Sequence, residues 1–211
     1  FEYVVFSAGK TYLIDAERVT YVNPGNDMIA GIFCNNDQYI YCESGSKFVM
    51  KTAVHDRYAI IGVYKVNNVT IYNAHLIGDR STHTTFETTG EWGYGIYVQE
   101  SSSVDLVKCY AEDFIGDGFN IDASDHMDAA TMSKNINLID CIATNNRRQG
   151  LSVTGGENIT IRGGEYKNTN GIDPQSGIDF EPNNLATINV NCLVDGVSFS
   201  NNAKFGIMVT S

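Results

Sequence analysis

The sequence is poor in proline, in basic residues and in long apolar runs, and each shortage excludes something. Only three prolines occur in 211 residues, too few for a proline-rich linker or a polyproline recognition segment. Fourteen Lys and Arg stand against 25 Asp and Glu, for a formal charge of −11. A chain this acidic is repelled by nucleic acid and by anionic membrane surfaces, so no nucleic-acid partner is expected. No apolar run approaches the roughly 18 residues of a membrane-spanning helix, so no membrane insertion is expected. Five cysteines are an odd number, with no Cys-x-x-Cys and no Cys/His cluster of zinc spacing. His55, His75, His83 and His126 share no spacing that suggests a metal, and no phosphate loop, dinucleotide fingerprint or Gly-x-Ser-x-Gly appears. Neither a metal nor a cofactor is expected. No signal peptide opens the chain, Phe1 is not a natural start, and Ser211 closes a strand pattern without a cap. A fragment of a longer chain is therefore expected.

What the sequence has is 43% apolar residues, 20 glycines and many asparagines, a composition suited to β-structure with many tight turns. Its main feature is an internal repeat. Strand starts recur as Val69-Thr-Ile71, Val104-Asp-Leu106, Ile136-Asn-Leu138, Ile159-Thr-Ile161 and Cys192-Leu-Val194. A second strand recurs as Gly95-Ile-Tyr-Val98, Gly118-Phe-Asn-Ile121, Gly150-Leu-Ser-Val153, Gly177-Ile-Asp-Phe180 and Gly206-Ile-Met-Val209. Steps of 14 and 9 residues connect the two sets, a period of 23, and the other gaps exceed these steps by 12, 9, 4 and 6 residues. A constant core with variable corners is the pattern of a solenoid whose insertions form loops.

Between these strands lies a middle column, Leu76, Ala111, Ala143, Tyr166 and Phe199. Asn68, Ser103, Asn135, Asn158 and Asn191 precede the first strand, and Asp113, Asn145, Asn168 and Asn201 follow the middle one. Stacked asparagines suit solenoid corners, because the amide both donates and accepts along the stack and tolerates the left-handed turn conformation. Asn68 and Asn158 head glycosylation sequons, but as ladder positions they are poor glycan sites. The expected fold is all-β, a right-handed parallel β-helix forming one domain over residues 1–211. Residues 1–58 are expected as irregular N-terminal coils and 59–211 as regular coils. Ile96, Phe119, Leu151, Ile178 and Ile207 should align in the core, and Cys109, Cys141 and Cys192 should be buried thiols.

The columns resemble the pectate-lyase-like superfamily of right-handed β-helices. The opening Phe6-Ser-Ala-Gly9-Lys-Thr-Tyr12-Leu-Ile14 looks like the Phe-Pro-Ala-Gly-Thr-Tyr strand of these proteins, with Ser for Pro. Gly78–His83, Thr89–Gly93, Arg147–Gly150 and Gly177–Asn183 look like a subgroup of bacteriophage tailspike and appendage proteins. This resemblance implies a homotrimer on a virion tail, or a secreted protein, that binds a cell-surface polysaccharide and cleaves it. A secreted polyuronide lyase or epimerase and a non-catalytic glycan binder are the competing readings.

Chemistry is expected on the outward positions of the Gly-led strands. One column reads Tyr97, Asn120, Ser152, Asp179, Met208, and the next Gln99, Asp122, Thr154, Glu181, Thr210. Glu181, Asp179 and Asp122 are the candidate catalytic carboxylates. Asp179 and Glu181 should lie about 6.5–7 Å apart on one strand, and Asp122 and Glu181 about 9–10 Å apart across two rungs. Such spacings leave room for a water between acid and base at a glycosidic bond. Glu181 is the expected acid, with a pKa raised by cover from the Trp92 loop, and Asp179, or Asp122 across two rungs, the expected base. His83, Glu91, Trp92, Asn120, Arg147 and Arg148 are the candidate substrate-binding residues, the arginines for an anionic substituent. Exposed Tyr97 and Met208 are a hint of a trimer face. The plain alternative is that such outward carboxylates are solvated surface.

Overall fold

A computed structural model describes residues 2–18, 28–86 and 90–210. Phe1, Thr89 and Ser211 lie outside the described residues. Three parallel sheets of seven strands each wind round one core, in about six turns of roughly 32 residues. The first sheet runs from Glu2–Phe6 to Val190–Asp195, the second from Thr11–Ile14 to Ser198–Ser200, and the third from Ile29–Phe33 to Ile207–Val209. Among the described residues the only helical elements are three short 3-10 turns, at Ala16–Arg18, Ala129–Thr131 and Leu185–Thr187. Among the described residues no helix is long and apolar enough to cross a membrane.

The register matches the repeat residue by residue. Val69, Val104, Ile136, Ile159 and Cys192 pair in sequence in the first sheet. Leu76, Ala111, Ala143, Tyr166 and Phe199 do so in the second, and Ile96, Phe119, Leu151, Ile178 and Ile207 in the third. Ladder bonds display the coil lengths: Asn158 donates to Asn135 across 23 residues, Asn191 to Asn158 across 33 and Asn68 to Asp37 across 31. The 23-residue coil is thus the bare minimum, and loops at the corners lengthen most turns. Asn68, Ser103, Asn135, Asn158 and Asn191 all have φ between 53° and 62°, the left-handed geometry that asparagine tolerates best among residues with a side chain.

The third-sheet glycines have a packing cause. A Cβ on Gly95 would lie 2.5 Å from the Gly118 carbonyl oxygen, on Gly118 2.9 Å from that of Gly150, and on Gly150 2.4 Å from that of Gly177. Each rung leaves no room for a side chain against the backbone of the next. Gly150→Ala should therefore destabilise the protein by about 1–3 kcal/mol through backbone displacement, a loss readable in a urea melt.

In the N-terminal part, Tyr3, Tyr39 and Thr70 continue the first sheet in register. Two expectations are corrected. Cys109 and Cys141 are buried free thiols, but Cys192 is exposed. Ile207 keeps its register yet is 41% exposed. Cys192 and Ile207 both belong to the last described strands of their sheets.

Candidate functional site

The outer face of the third sheet carries the predicted columns. Tyr97, Asn120, Ser152, Asp179 and Met208 stack in register, and Asp122 pairs with Gln99. A third outward row runs beside them, with Asp117 paired to Gln149 and Gln149 to Ser176. A groove of about 320 Å³ lies over this face, lined by Trp92, Tyr94, Tyr97, Asn120, Asp122, His126, Arg148, Thr154 and Glu181 among others. One wall is the insertion after Asp122, closed by the Ala129–Thr131 turn, which Asp128 caps by accepting from the Ala130 N–H. Thr187 donates to the His126 carbonyl at 3.3 Å, tying this wall to the loop beyond Glu181. A larger cavity of about 480 Å³, lined by Phe180, Leu185, Ile188 and Val209 among others, contains no titratable side chain.

Asp122 is saturated with donors. Its Oδ2 accepts from the Tyr97 hydroxyl at 2.8 Å and Gln99 Nε2 at 3.1 Å. Its Oδ1 accepts from Thr154 Oγ1 at 2.6 Å, the Ala123 N–H at 2.8 Å and His126 Nε2 at 2.8 Å. A carboxylate so engaged positions its neighbours rather than abstracting protons. The neighbour of consequence is His126, whose pKa the Asp122 bond raises against the opposing effect of burial. The sequence reading passed over His126. Its signal was Asp122-Ala-Ser-Asp-His126, a histidine four residues after an outward carboxylate, at the start of an insertion.

Glu181 opens to the groove, with its side chain 37% exposed, and Arg148 Nη2 donates to it at 3.1 Å. Arg148 also reaches Asp117 at 3.4 Å and Glu91 at 3.9 Å. Burial works to lower its pKa, but the carboxylates, Asp117 foremost, outweigh that and raise it. Arg148, expected to receive an anionic substituent, bridges three acids of the groove. Arg147 is engaged elsewhere too, its guanidinium lying 4.5 Å from the Phe86 ring centroid and donating to the Gly90 carbonyl at 3.1 Å.

The remaining candidates divide. Glu91, Trp92 and Asn120 line the groove, with Trp92 opening the strand Trp92–Gln99 and carrying the Arg57 guanidinium 4.1 Å from its ring centroid. His83 does not belong to the groove; it is buried, its Nδ1 is 2.9 Å from Asp79 Oδ2, and it stacks on Phe86. Asp79 also accepts from Tyr58 and the Ala53 N–H, so this cluster pins the loop that follows Gly78. Tyr97, expected as exposed, is buried and stacked on Tyr94 at 5.4 Å.

Asp179 shares the face but not the surface. It is fully buried, accepting from Gln149 Nε2 at 2.6 Å, so it lies beneath the groove rather than in it. Burial pushes its carboxyl up to about 6, the Gln149 bond opposing this and Glu181 adding to it. Asp117, equally buried, is also pushed up to about 6 by burial, against Arg148 and Ser152. A carboxyl raised in the folded state from its ordinary 3.8 lowers stability as pH rises from 3.8 through about 6. Asp179→Asn keeps an acceptor for Gln149 and removes that cost. It should raise stability by up to about 3 kcal/mol above pH 6 and change little below about pH 3.8, where the carboxyl is protonated in both states. Melting curves across that range check the sign.

Among the described residues, no group of three or more His, Cys, Asp or Glu is arranged to hold a metal ion. The family model for the right-handed beta helix region matches residues 23–185. The chain belongs to that family. In Bacillus subtilis (strain 168) it is similar to the uncharacterised protein YclG, 30% identical over 188 residues, and to the SPbeta prophage-derived uncharacterised protein YorA, 29% identical over 182. Each alignment takes in 81% of this chain, which spans only 31% of the length of either relative. Among solved structures, the A-module of the Azotobacter vinelandii mannuronan C-5 epimerase AlgE4 shares the fold, with a TM-score of 0.60 at 12% identity, over 98% of this chain and 64% of that one.

Proposed function

We propose that this β-helix binds a cell-surface polysaccharide in the third-sheet groove and cleaves its glycosidic bonds. The observation that carries the reading is the pairing of two groups of different chemistry over one aromatic-walled groove: the Glu181 carboxylate and the His126 imidazole, the latter held by a donor-saturated Asp122. Hydrolysis needs a proton donor for the leaving oxygen and a base for the attacking water. His126, raised by Asp122, supplies the proton, and Glu181 takes one from water. These roles replace Glu181 as acid with Asp179 or Asp122 as base. Arg148 holds Glu181 in place, and Trp92 offers a rim for the sugar's apolar face.

The proposed setting is a phage tail or the extracellular space; the prophage-derived name of YorA supports it. Homotrimeric assembly, implied by the resemblance to phage spikes, belongs to the same proposal, although buried Tyr97 no longer speaks for it. Light scattering on the intact protein should give three chains per particle, and a stable monomer would remove the virion setting.

The reaction is tested by chain-end analysis after incubation with a panel of bacterial capsule and wall polysaccharides. New reducing ends on saturated sugars are expected. Unsaturated uronides would replace hydrolysis with elimination, and glycan retention without product would leave a binder.

A further inference from the structure

The two ring nitrogens of His126 have different surroundings, and the difference decides which of them can give up a proton. Nε2 lies 2.8 Å from Asp122 Oδ1. That carboxylate also accepts from the Tyr97 hydroxyl and Gln99 Nε2 at Oδ2, and from Thr154 Oγ1 and the Ala123 N–H at Oδ1. A carboxylate ringed by donors has no hydrogen to offer, so the Nε2 contact is a bond only if Nε2 carries the hydrogen.

The side-chain amide of Asn183 lies 3.2 Å from the same Nε2. Its oxygen and nitrogen exchange places by a half-turn of the amide, and against an N–H the oxygen belongs there. Nε2–H then has two acceptors, one on each side of the groove wall. Thr154 ties them together, since its hydroxyl donates to Asp122 at 2.6 Å and its carbonyl accepts from the Asn183 N–H at 3.3 Å.

Nδ1 has no such partner among the described residues, and the imidazole is 38% exposed on the groove. The main chain on either side is fixed, with Asp122 closing the strand Asp117–Asp122 and Thr187 donating to the His126 carbonyl. The ring is therefore anchored through Nε2 and presents Nδ1 to the groove. Protonation adds its hydrogen at Nδ1, the one position from which a proton can leave without breaking the bond to Asp122. Asp122 and Asp125 are the acids that favour that charged form.

Resting on the reading of His126 as the acid, we infer that the proton it transfers sits on Nδ1, and that Asn183 is a positioning residue that keeps the other hydrogen on Nε2.

The test is nitrogen-15 NMR of the histidine rings in the whole protein across pH, with His126→Gln identifying the His126 signals among the four histidines. Above its titration midpoint His126 should hold the Nε2–H form in at least about tenfold excess over Nδ1–H, as a hydrogen bond to a charged group allows. Asn183→Ala should cut that excess by about two- to tenfold, the weight of a neutral hydrogen bond, and Asn183→Asp should restore it. Asp122→Asn should abolish the excess and move the midpoint to lower pH; if that variant fails to fold, the exposed Asn183 pair carries the test. A predominant Nδ1–H form in the unmodified protein overturns the inference, even where chain-end analysis shows hydrolysis. An excess that Asn183→Ala leaves unchanged overturns the role of Asn183. The Nε2–H form in a protein that cleaves no glycan overturns the catalytic reading, while the placement of the hydrogen on Nε2 stands.

Discussion

Glu181→Gln should lower turnover of the polysaccharide by about 10²–10⁴ while binding survives. The substitution keeps the size of the side chain and an amide oxygen for Arg148, whose Nη2 donates to Glu181 at 3.1 Å. It removes the negative charge and, with it, the capacity to accept and release a proton. Glu181 follows the last residue of the strand Ser176–Phe180 and is partly exposed, so its replacement strains no buried contact and the melting temperature should barely move. A loss of activity with an unchanged melt assigns the effect to chemistry. Full activity would rule out Glu181 as the proton-transferring carboxylate and would leave the groove a binding site.

Leu151→Ala should destabilise the fold by about 2–5 kcal/mol. Leu151 is fully buried and lies in register between Phe119 and Ile178. Deleting its methyl groups opens a gap bounded above and below by neighbouring rungs, whose backbones are fixed by ladder hydrogen bonds and cannot collapse into it. A thermal melt unchanged within error would contradict the stacking that the whole solenoid depends on.

The fold was largely legible because a β-helix writes its register into the sequence. Gly95, Gly118, Gly150 and Gly177 recur because the adjacent rung's carbonyl excludes a Cβ. Asn135, Asn158 and Asn191 recur because their φ is positive and their amides bond along the ladder. Coil length was less legible. A 23-residue step is visible between Asn135 and Asn158, but loop insertions bring most coils nearer 32. Cys192 and Ile207 follow the core pattern and are nevertheless exposed, because burial in a solenoid comes from the next coil and not from the residue's own position.

The site was half legible. Period-two alternation put Asn120, Asp122, Asp179 and Glu181 on the outer face, and there they lie. Facing outward did not mean facing solvent. Asp179 is closed over and Tyr97 is buried against Tyr94, since long side chains on neighbouring rows cover short ones. The partners of the arginines were not legible at all, because Arg148 meets Glu91, Asp117 and Glu181 from three different coils. His126 was missed for a related reason: its role follows from a contact with Asp122 that an irregular loop makes, and no periodic pattern announces it.

The most direct test of the groove as the seat of function is a crystal structure of the Glu181→Gln protein with a bound oligosaccharide substrate. The account predicts a sugar ring over the third sheet between Trp92 and His126, with a glycosidic oxygen within hydrogen-bond reach of His126. A chain bound on the first or second sheet, with the third-sheet groove empty, would contradict it.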